Sequence, residues 1–272
     1  MIRISLFVLF ILAAPAYAGG PKADLWARWQ AHDSASVIRV DHAPWARFLS
    51  RYLTVAPQQA NRVDYAAVRS ADRANLQKYL AALQGVEVST LNRAEQLAYW
   101  INLYNALTVK LVLDHWPVSS IRDIDISPGL FSDGPWGKKL LAIEGEAVSL
   151  DDIEHRILRP IWKDPRLHYA VNCASIGCPD LAPAPYAAAR IDAMLNTAAE
   201  AYVNSPRGAR FDPDGRLVVS KIYDWFIDDF GGDAAGVLDH LRRYAGPALK
   251  KGLAGRAAID GYSYDWRINV AH

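Results

Sequence analysis

Two cysteines, Cys173 and Cys178, carry all the thiol chemistry of this 272-residue chain, and they lie five residues apart in Asn172-Cys173-Ala174-Ser175-Ile176-Gly177-Cys178-Pro179. A thiolate is a competent nucleophile, and a neighbouring imidazole or dipole lowers its pKa from about 8.5. His168 and His155 both precede Cys173, and either can act as the base of a cysteine-dependent hydrolase or of an acyl or thiol transferase. After Cys178 only His240 and His272 remain. A Cys-then-His order of the papain or transglutaminase kind is therefore not followed, and an upstream base implies a permuted order. The competing reading is a non-enzymatic binding protein in which a structural Cys173–Cys178 disulfide shapes an aromatic-lined cleft. Thiol–disulfide exchange ranks below both, because it lacks the usual two-residue spacing. His155, His168, Cys173 and Cys178 also spell a two-Cys, two-His zinc set, but the cysteine spacing is loose for one. No metal and no other cofactor is expected.

These residues need elements to hold them. Leu167 to Cys173 alternates as a strand does, with Leu167, Tyr169 and Val171 on one face and His168, Ala170 and Asn172 on the other. Ser149 is placed to cap a helix through Arg159 that Pro160 disrupts. On that helix His155 lies four residues from both Asp151 and Arg159, between an anion and a cation. The strongest helix spans about 92–115, opened by Asn92 with Glu95 and followed by Pro117. It is apolar almost all round, which marks a buried helix. Its polar side chains Glu95, Tyr99, Asn102 and Asn105 share one face. Asn102, Asn105 or Asn172 can orient a catalytic group or donate to a substrate oxygen; the alternative is that such amides tie neighbouring loops to the core. Trp100, Tyr104, Trp136 and Tyr169 fit either a cleft wall or the core.

The remaining chain mixes short hairpins and helices. Residues 22–53 look helical with Pro44 in a first turn, 61–65 suits a short strand, and 70–84 is an amphipathic helix. Hairpins are expected over 139–149, turning at Glu144-Gly145-Glu146, and around Asp212-Pro213-Asp214-Gly215. Helices over 188–203 and 233–245 and a closing strand near 262–268 complete the pattern. The fold class is α+β, with helices packed on a small mixed or antiparallel sheet carrying two hairpins.

At the N-terminus, Arg3, the uncharged run Ile4–Ala14 and Ala16-Tyr17-Ala18 read as a cleaved signal peptide, so a periplasmic or secreted protein is expected. The run is shorter than the roughly 20 residues a spanning helix needs. No later stretch is apolar for long enough. Removal of residues 1–18 takes away one basic side chain and leaves 29 basic against 29 acidic residues. A neutral chain gives no electrostatic case for nucleic acid. The expected partner is a small-molecule or peptide-like substrate.

Three blocks together resemble one family in the same order: Ala98-Tyr99-Trp100-Ile101-Asn102-Leu103-Tyr104-Asn105-Ala106-Leu107, Leu150–Arg159, and Asp164–Cys173 with Cys178-Pro179 following. The family is the one catalogued as domain of unknown function number 547, and the Trp225 segment near Lys221-Ile222-Tyr223 extends the likeness. The family commonly has glycine after the first cysteine, where this chain has Ala174. The resemblance implies that Asn102, Asn105, Glu154, His155, Arg166, His168, Asn172, Cys173 and Cys178 belong to one domain, and it assigns none of them a role. From these residues Arg166, Tyr104, Glu154 and Cys178 are taken as candidate substrate contacts. The expected organisation is a signal peptide (1–18), a helical N-terminal extension packed on the domain (19–87), and a main domain (88–272) with its family-like core over 88–230.

Overall fold

A computed structural model describes residues 20–56, 59–129 and 133–271; the expected signal peptide lies outside them. Two of the elements form where the pattern places them. Helix α1 (Ala43–Tyr52) has Pro44 in its first turn and buries Trp45, Phe48, Leu49 and Tyr52. Helix α2 (Ser70–Gln84) buries Leu76, Tyr79, Leu80 and Leu83. Between Trp26 and α1 the helical expectation fails, leaving only a single turn at Ala27–Gln30. There Asp33 and Asp41 accept from the Ala35 and Ala43 amides, at 2.9 and 2.8 Å. Such local side-chain bonds compete with helix. Strands β1 (Leu53–Thr54) and β2 (Arg62–Val63) pair antiparallel.

Helix α3 (Arg93–His115) is the centre of the molecule. Asn92 caps it by accepting from the Glu95 amide at 3.0 Å. Glu95 does not close the reciprocal box, because its carboxylate accepts from the Val40 amide at 2.8 Å instead. The other polar groups of that face tie loops down as well, with Tyr99 donating to the Leu83 carbonyl at 2.9 Å. Apolar residues of α3 share one hydrophobic cluster with Trp29, Trp45, Leu83, Ile153 and Ile268. Trp29 meets Trp100 edge-on with centroids 5.0 Å apart. Each large side chain so buried contributes roughly 1.5–3 kcal/mol.

Strands β3 (Leu141–Ile143) and β4 (Glu146–Val148) form the first hairpin. Its two-residue turn, Glu144-Gly145, has both φ positive, at 47° and 82°, as a turn matched to strand twist requires. Ser149 then caps as expected, accepting from the Asp152 amide at 3.1 Å. The helix behind that cap departs from the expectation. Residues Asp152–Leu158 form a π-helix that runs straight into α4 (Arg159–Trp162), so Pro160 does not end it. Pro160 has no N–H to offer the carbonyls of His155 and Arg156. The amides of Asp24 and Trp26 take those two carbonyls, each at 2.9 Å. A widened turn with outside donors therefore accommodates the proline.

The expected strand over 167–173 is also corrected. Pro165–Tyr169 is a 3-10 helix, capped by Asp164 on the Arg166 amide at 2.9 Å. Asp-Pro is a helix-start signal, and Leu167, His168 and Tyr169 are all buried, so no exposed face alternates with a buried one. Helix α5 (Ile191–Val203) comes next, then β5 (Ala209–Phe211) and β6 (Leu217–Ser220), which form the second hairpin. Short α6 (Ile222–Trp225), α7 (Ala234–Tyr244) and α8 (Pro247–Leu253), of which only α7 was foreseen, lead to β7 (Gly261–Ser263). β7 pairs parallel to β6, so the largest sheet is mixed and the α+β class holds. The closing strand is shorter than expected. Beyond it the chain is stitched by single bridges, Ser120 to Arg267, Ser175 to Ile268 and Val63 to Val270. Among the described residues no helix is long and apolar enough to cross a membrane.

Candidate functional site

The cysteine loop is shaped by two residues and one neighbour. Ala174 takes a left-handed φ of 60°, which turns the chain sharply after Cys173. Gly177 has no room for a Cβ, which would sit 2.6 Å from the Asp265 amide. Backbone bonds then zip the loop to the C-terminal segment: Ile176 N to Arg267 O and Gly177 N to Asp265 O, both 2.8 Å, and Asn269 N to Ala174 O at 2.9 Å. That pairing delivers Tyr264.

Around the Cys173 sulfur stand Cys178 Sγ at 3.0 Å, Ser175 Oγ at 3.2 Å and the Tyr264 hydroxyl at 3.2 Å. A disulfide needs about 2.05 Å. The expected alternative of a structural bridge is therefore corrected: both cysteines are free thiols. Donation from the Cys178 thiol is the main reason the Cys173 thiol drops from 9.0 to about 7; burial opposes it, and Ser175 and Tyr264 assist. Cys178 moves the other way, pushed up by burial and by the thiolate it supports.

His168 is held separately. Its Nε2 lies 2.7 Å from Asp229 Oδ2, and its ring stacks on Phe226 with centroids 4.4 Å apart. Asp229 also accepts from Arg159 Nε at 2.5 Å. Burial alone would raise the Asp229 carboxyl, yet the bonds from His168 and Arg159 outweigh it and hold it at about 2. With Nε2 donating to Asp229, the neutral form of this ring carries its lone pair on Nδ1. Nδ1 is 3.8 Å from Glu154 Oε1. The other Glu154 oxygen accepts from the Tyr104 hydroxyl at 3.0 Å, a phenol raised by burial and by that carboxylate.

His155 is fixed by Arg159, whose guanidinium donates to Nδ1 at 3.0 Å. Burial lowers this imidazole to about 4, so it is neutral with its proton on Nε2, facing Asp151 Oδ1 at 3.7 Å. Asp151 is raised to about 6 by burial, then by Glu154 and Asp152.

Cys173, Cys178, Tyr104, Glu154, His155 and His168 border one cavity of about 660 Å³, together with Asp151. Its other wall is aromatic: Trp136, Trp266, Trp225 and Tyr264 are linked by ring contacts of 5.8, 5.5 and 4.9 Å. Among the described residues no hydrogen bond joins either imidazole to the Cys173 sulfur. The groups at this sulfur are hydroxyls and a thiol.

The other candidates sit behind this surface. Asn102 clamps the Tyr186 backbone through both amide atoms, at 2.8 and 2.9 Å. Asn105 bonds the Ala170 carbonyl and the Asn172 amide, at 2.9 and 2.8 Å. Asn172 spans the cysteine loop, donating to Pro179 O at 2.7 Å and accepting from Ala174 N at 2.9 Å. Arg166 is spent on Asp164, Asp192 and Asn196. None of these four is among the described residues bordering the cavity. Trp100 and Tyr169 belong to the hydrophobic clusters. Sequence reasoning missed Asp229, Tyr264 and Ser175, whereas Arg159 was expected beside His155 and is found there. Asp229 had one available signal, its place just after the aromatic Trp225 block. Among the described residues no group of three His, Cys, Asp or Glu side chains is arranged to hold a metal ion.

Residues 88–203 match the family model described as "Protein of unknown function, DUF547". No curated protein and no solved structure matches the chain. The segment similar to that family carries Tyr104, Glu154, His155, His168, Cys173 and Cys178, whereas Asp229 and Tyr264 come from beyond it.

Proposed function

We propose that this chain is a cysteine-dependent acyl-transfer enzyme, a hydrolase or transferase acting on a small-molecule or peptide-like ester, thioester or amide. One observation carries the reading: the Cys173 sulfur, at the edge of a cavity, has three hydrogen-bonding groups, two hydroxyls and a thiol, within 3.0–3.2 Å. The thiolate attacks the substrate carbonyl, the tetrahedral alkoxide collapses, and the leaving group departs with a proton drawn from solvent. An acceptor then gives a proton to His168 Nδ1, attacks the thioester and returns the electron pair to sulfur. Asp229 keeps His168 in the tautomer that this requires.

Wild-type protein incubated with a p-nitrophenyl thioester should show turnover and an acyl adduct on Cys173 by mass spectrometry. Cys173→Ser should lose both, and Cys178→Ser should be less affected. Equal turnover in Cys173→Ser and wild type would end this reading.

A second reading is a non-enzymatic binding cleft, favoured by the missing bond between imidazole and sulfur. Tight binding of a ligand that never acylates Cys173 would support it. We also propose export through cleavage after Ala18, on the strength of Arg3, the Ile4–Ala14 run and Ala16-Tyr17-Ala18. N-terminal sequencing of secreted or periplasmic protein should begin at Gly19, and an intact Met1 there would refute it.

A further inference from the structure

His168 is nearly sealed in protein, its side chain 2% exposed, with Nε2 committed to Asp229. Its bare Nδ1 faces Glu154 Oε1 across 3.8 Å. In the neutral ring an acceptor thus faces an acceptor, too far apart for a direct bond. Only a group bringing its own hydrogens satisfies both.

The surrounding charge says which group. Four of the surrounding cations are already engaged. Arg159 serves Asp229, the Pro21 carbonyl and His155; Arg122 pairs with Asp133; and Lys139 and Arg156 both hold Asp152. Lys221 borders the cavity too, but among the described residues no Lys or Arg lies within ion-pair distance of Glu154 or Asp151, whose only charged-pair neighbours are the two imidazole nitrogens at 3.7–3.8 Å. Asp151 ionises reluctantly, its carboxyl raised to about 6 by burial and by Glu154. A cation placed between the two carboxylates relieves that repulsion. The aromatic lining of the cavity also attracts positive groups, as the Arg122 guanidinium 5.4 Å from the Trp266 ring centre shows.

We propose that the acyl acceptor is a primary amine, bound as its ammonium by Glu154, Asp151 and His168 Nδ1, so that the site joins acyl groups to amines. The chemistry rests on the acyl-transfer reading; the amine subsite does not. The ammonium gives one proton to His168 Nδ1, and the neutral amine attacks the Cys173 thioester. A C–N bond forms, the C–S bond breaks, and the electron pair returns to sulfur as thiolate. The second amine proton leaves through Glu154 to solvent. Thioester and ammonium thereby become amide, thiolate and two protons.

The test begins with full-chain Cys173→Ser protein, titrated calorimetrically with n-butylammonium chloride and with 1-butanol. The amine should bind at least about tenfold more tightly, and Glu154→Gln should remove that margin, as loss of a charged hydrogen bond does. If Glu154→Gln fails to fold, Asp151→Asn at a half-exposed carboxylate should show the same loss in part. Wild-type protein with thioester and butylamine should then release the butylamide. Amine binding without any acyl-enzyme would keep the subsite and defeat the acyl-transfer reading. Amine binding no tighter than butanol, with an acyl-enzyme that only hydrolyses, would overturn the subsite and leave acyl transfer standing.

Discussion

His168 Nε2 lies 2.7 Å from Asp229 Oδ2, and the same oxygen takes Arg159 Nε at 2.5 Å. One carboxylate therefore sets the tautomer of one histidine and neutralises the arginine that sets the other. Asp229→Asn presents an amide in its place and frees the His168 proton to move to Nδ1, where it blocks the base. The expected result is a fall in kcat of about 10²–10⁴ with KM little changed. Arg159, 4% exposed, loses its partner, so stability should fall by up to about 3–5 kcal/mol. Chemical denaturation and steady-state thioester kinetics on protein shown to be folded check both. Unchanged kcat would remove His168 from the chemistry.

Cys173 should alkylate with a midpoint near pH 7, since the donors around its sulfur bring the thiol to about 7. Tyr264→Phe deletes one donor and should move the midpoint upward; Cys178→Ala deletes the main one and should move it further. The rate of iodoacetamide labelling across pH, with the site confirmed by peptide mapping, measures this. A wild-type midpoint at or above the ordinary value of about 8.5 would show that these contacts do not stabilise the thiolate.

Helix α3 was readable because its apolar residues surround it, and the hairpin at Glu144-Gly145 because that turn demands positive φ. Local rules missed what distant partners decide. Pro160 reads as a helix stop until the Asp24 and Trp26 amides supply the bonds it cannot. Leu167-His168-Tyr169 alternates like a strand, but every one of the three is buried, and the Asp164-Pro165 start signal prevails. Cys173, His155 and His168 could be named from residue type alone. Asp229 is 61 residues from His168 and Tyr264 is 91 from Cys173, so no spacing rule connects them. The asparagines were visible as polar residues in an apolar helix, which signals burial without saying whether a loop or a substrate is the partner.

Stability should respond to acid in two steps. His155 is lowered to about 4 from 6.5, so between those values the folded state holds fewer protons than the unfolded one. Its contribution is complete above pH 6.5 and is lost as pH falls towards 4. Asp229, held at about 2, contributes above pH 4 and loses that contribution as pH falls towards 2. Asp151 has the opposite sign: raised from 3.8 to about 6, it favours the fold at low pH and ceases to as pH rises through 6. Asp151→Asn should therefore raise stability at pH 7, by under about 1 kcal/mol because solvent screens a side chain 44% exposed. Melting temperatures of both proteins from pH 3 to 8 check this. A variant less stable than wild type at pH 7 would contradict it.

Ala174 sits fully buried with φ at 60°, in the position where the family that this segment resembles commonly has glycine. The left-handed region costs a residue with a Cβ about 1–2 kcal/mol, which glycine avoids. Against that gain, Ala174→Gly loses a buried methyl worth about 0.8 kcal/mol and adds freedom to the unfolded chain. The net change should stay within about 1 kcal/mol, with the Cys173 labelling midpoint unmoved because the turn keeps its shape. Valine is different, since a β-branched residue is an outlier at positive φ and its larger side chain would enter a fully buried position. Ala174→Val should cost more than about 2 kcal/mol. It should also move the labelling midpoint towards that of an ordinary thiol, because a loop that abandons the left-handed turn carries Cys173 away from Ser175 and Tyr264. Equal melting temperatures and equal midpoints for Ala174→Val and wild type would mean that this turn does not hold the sulfur in place.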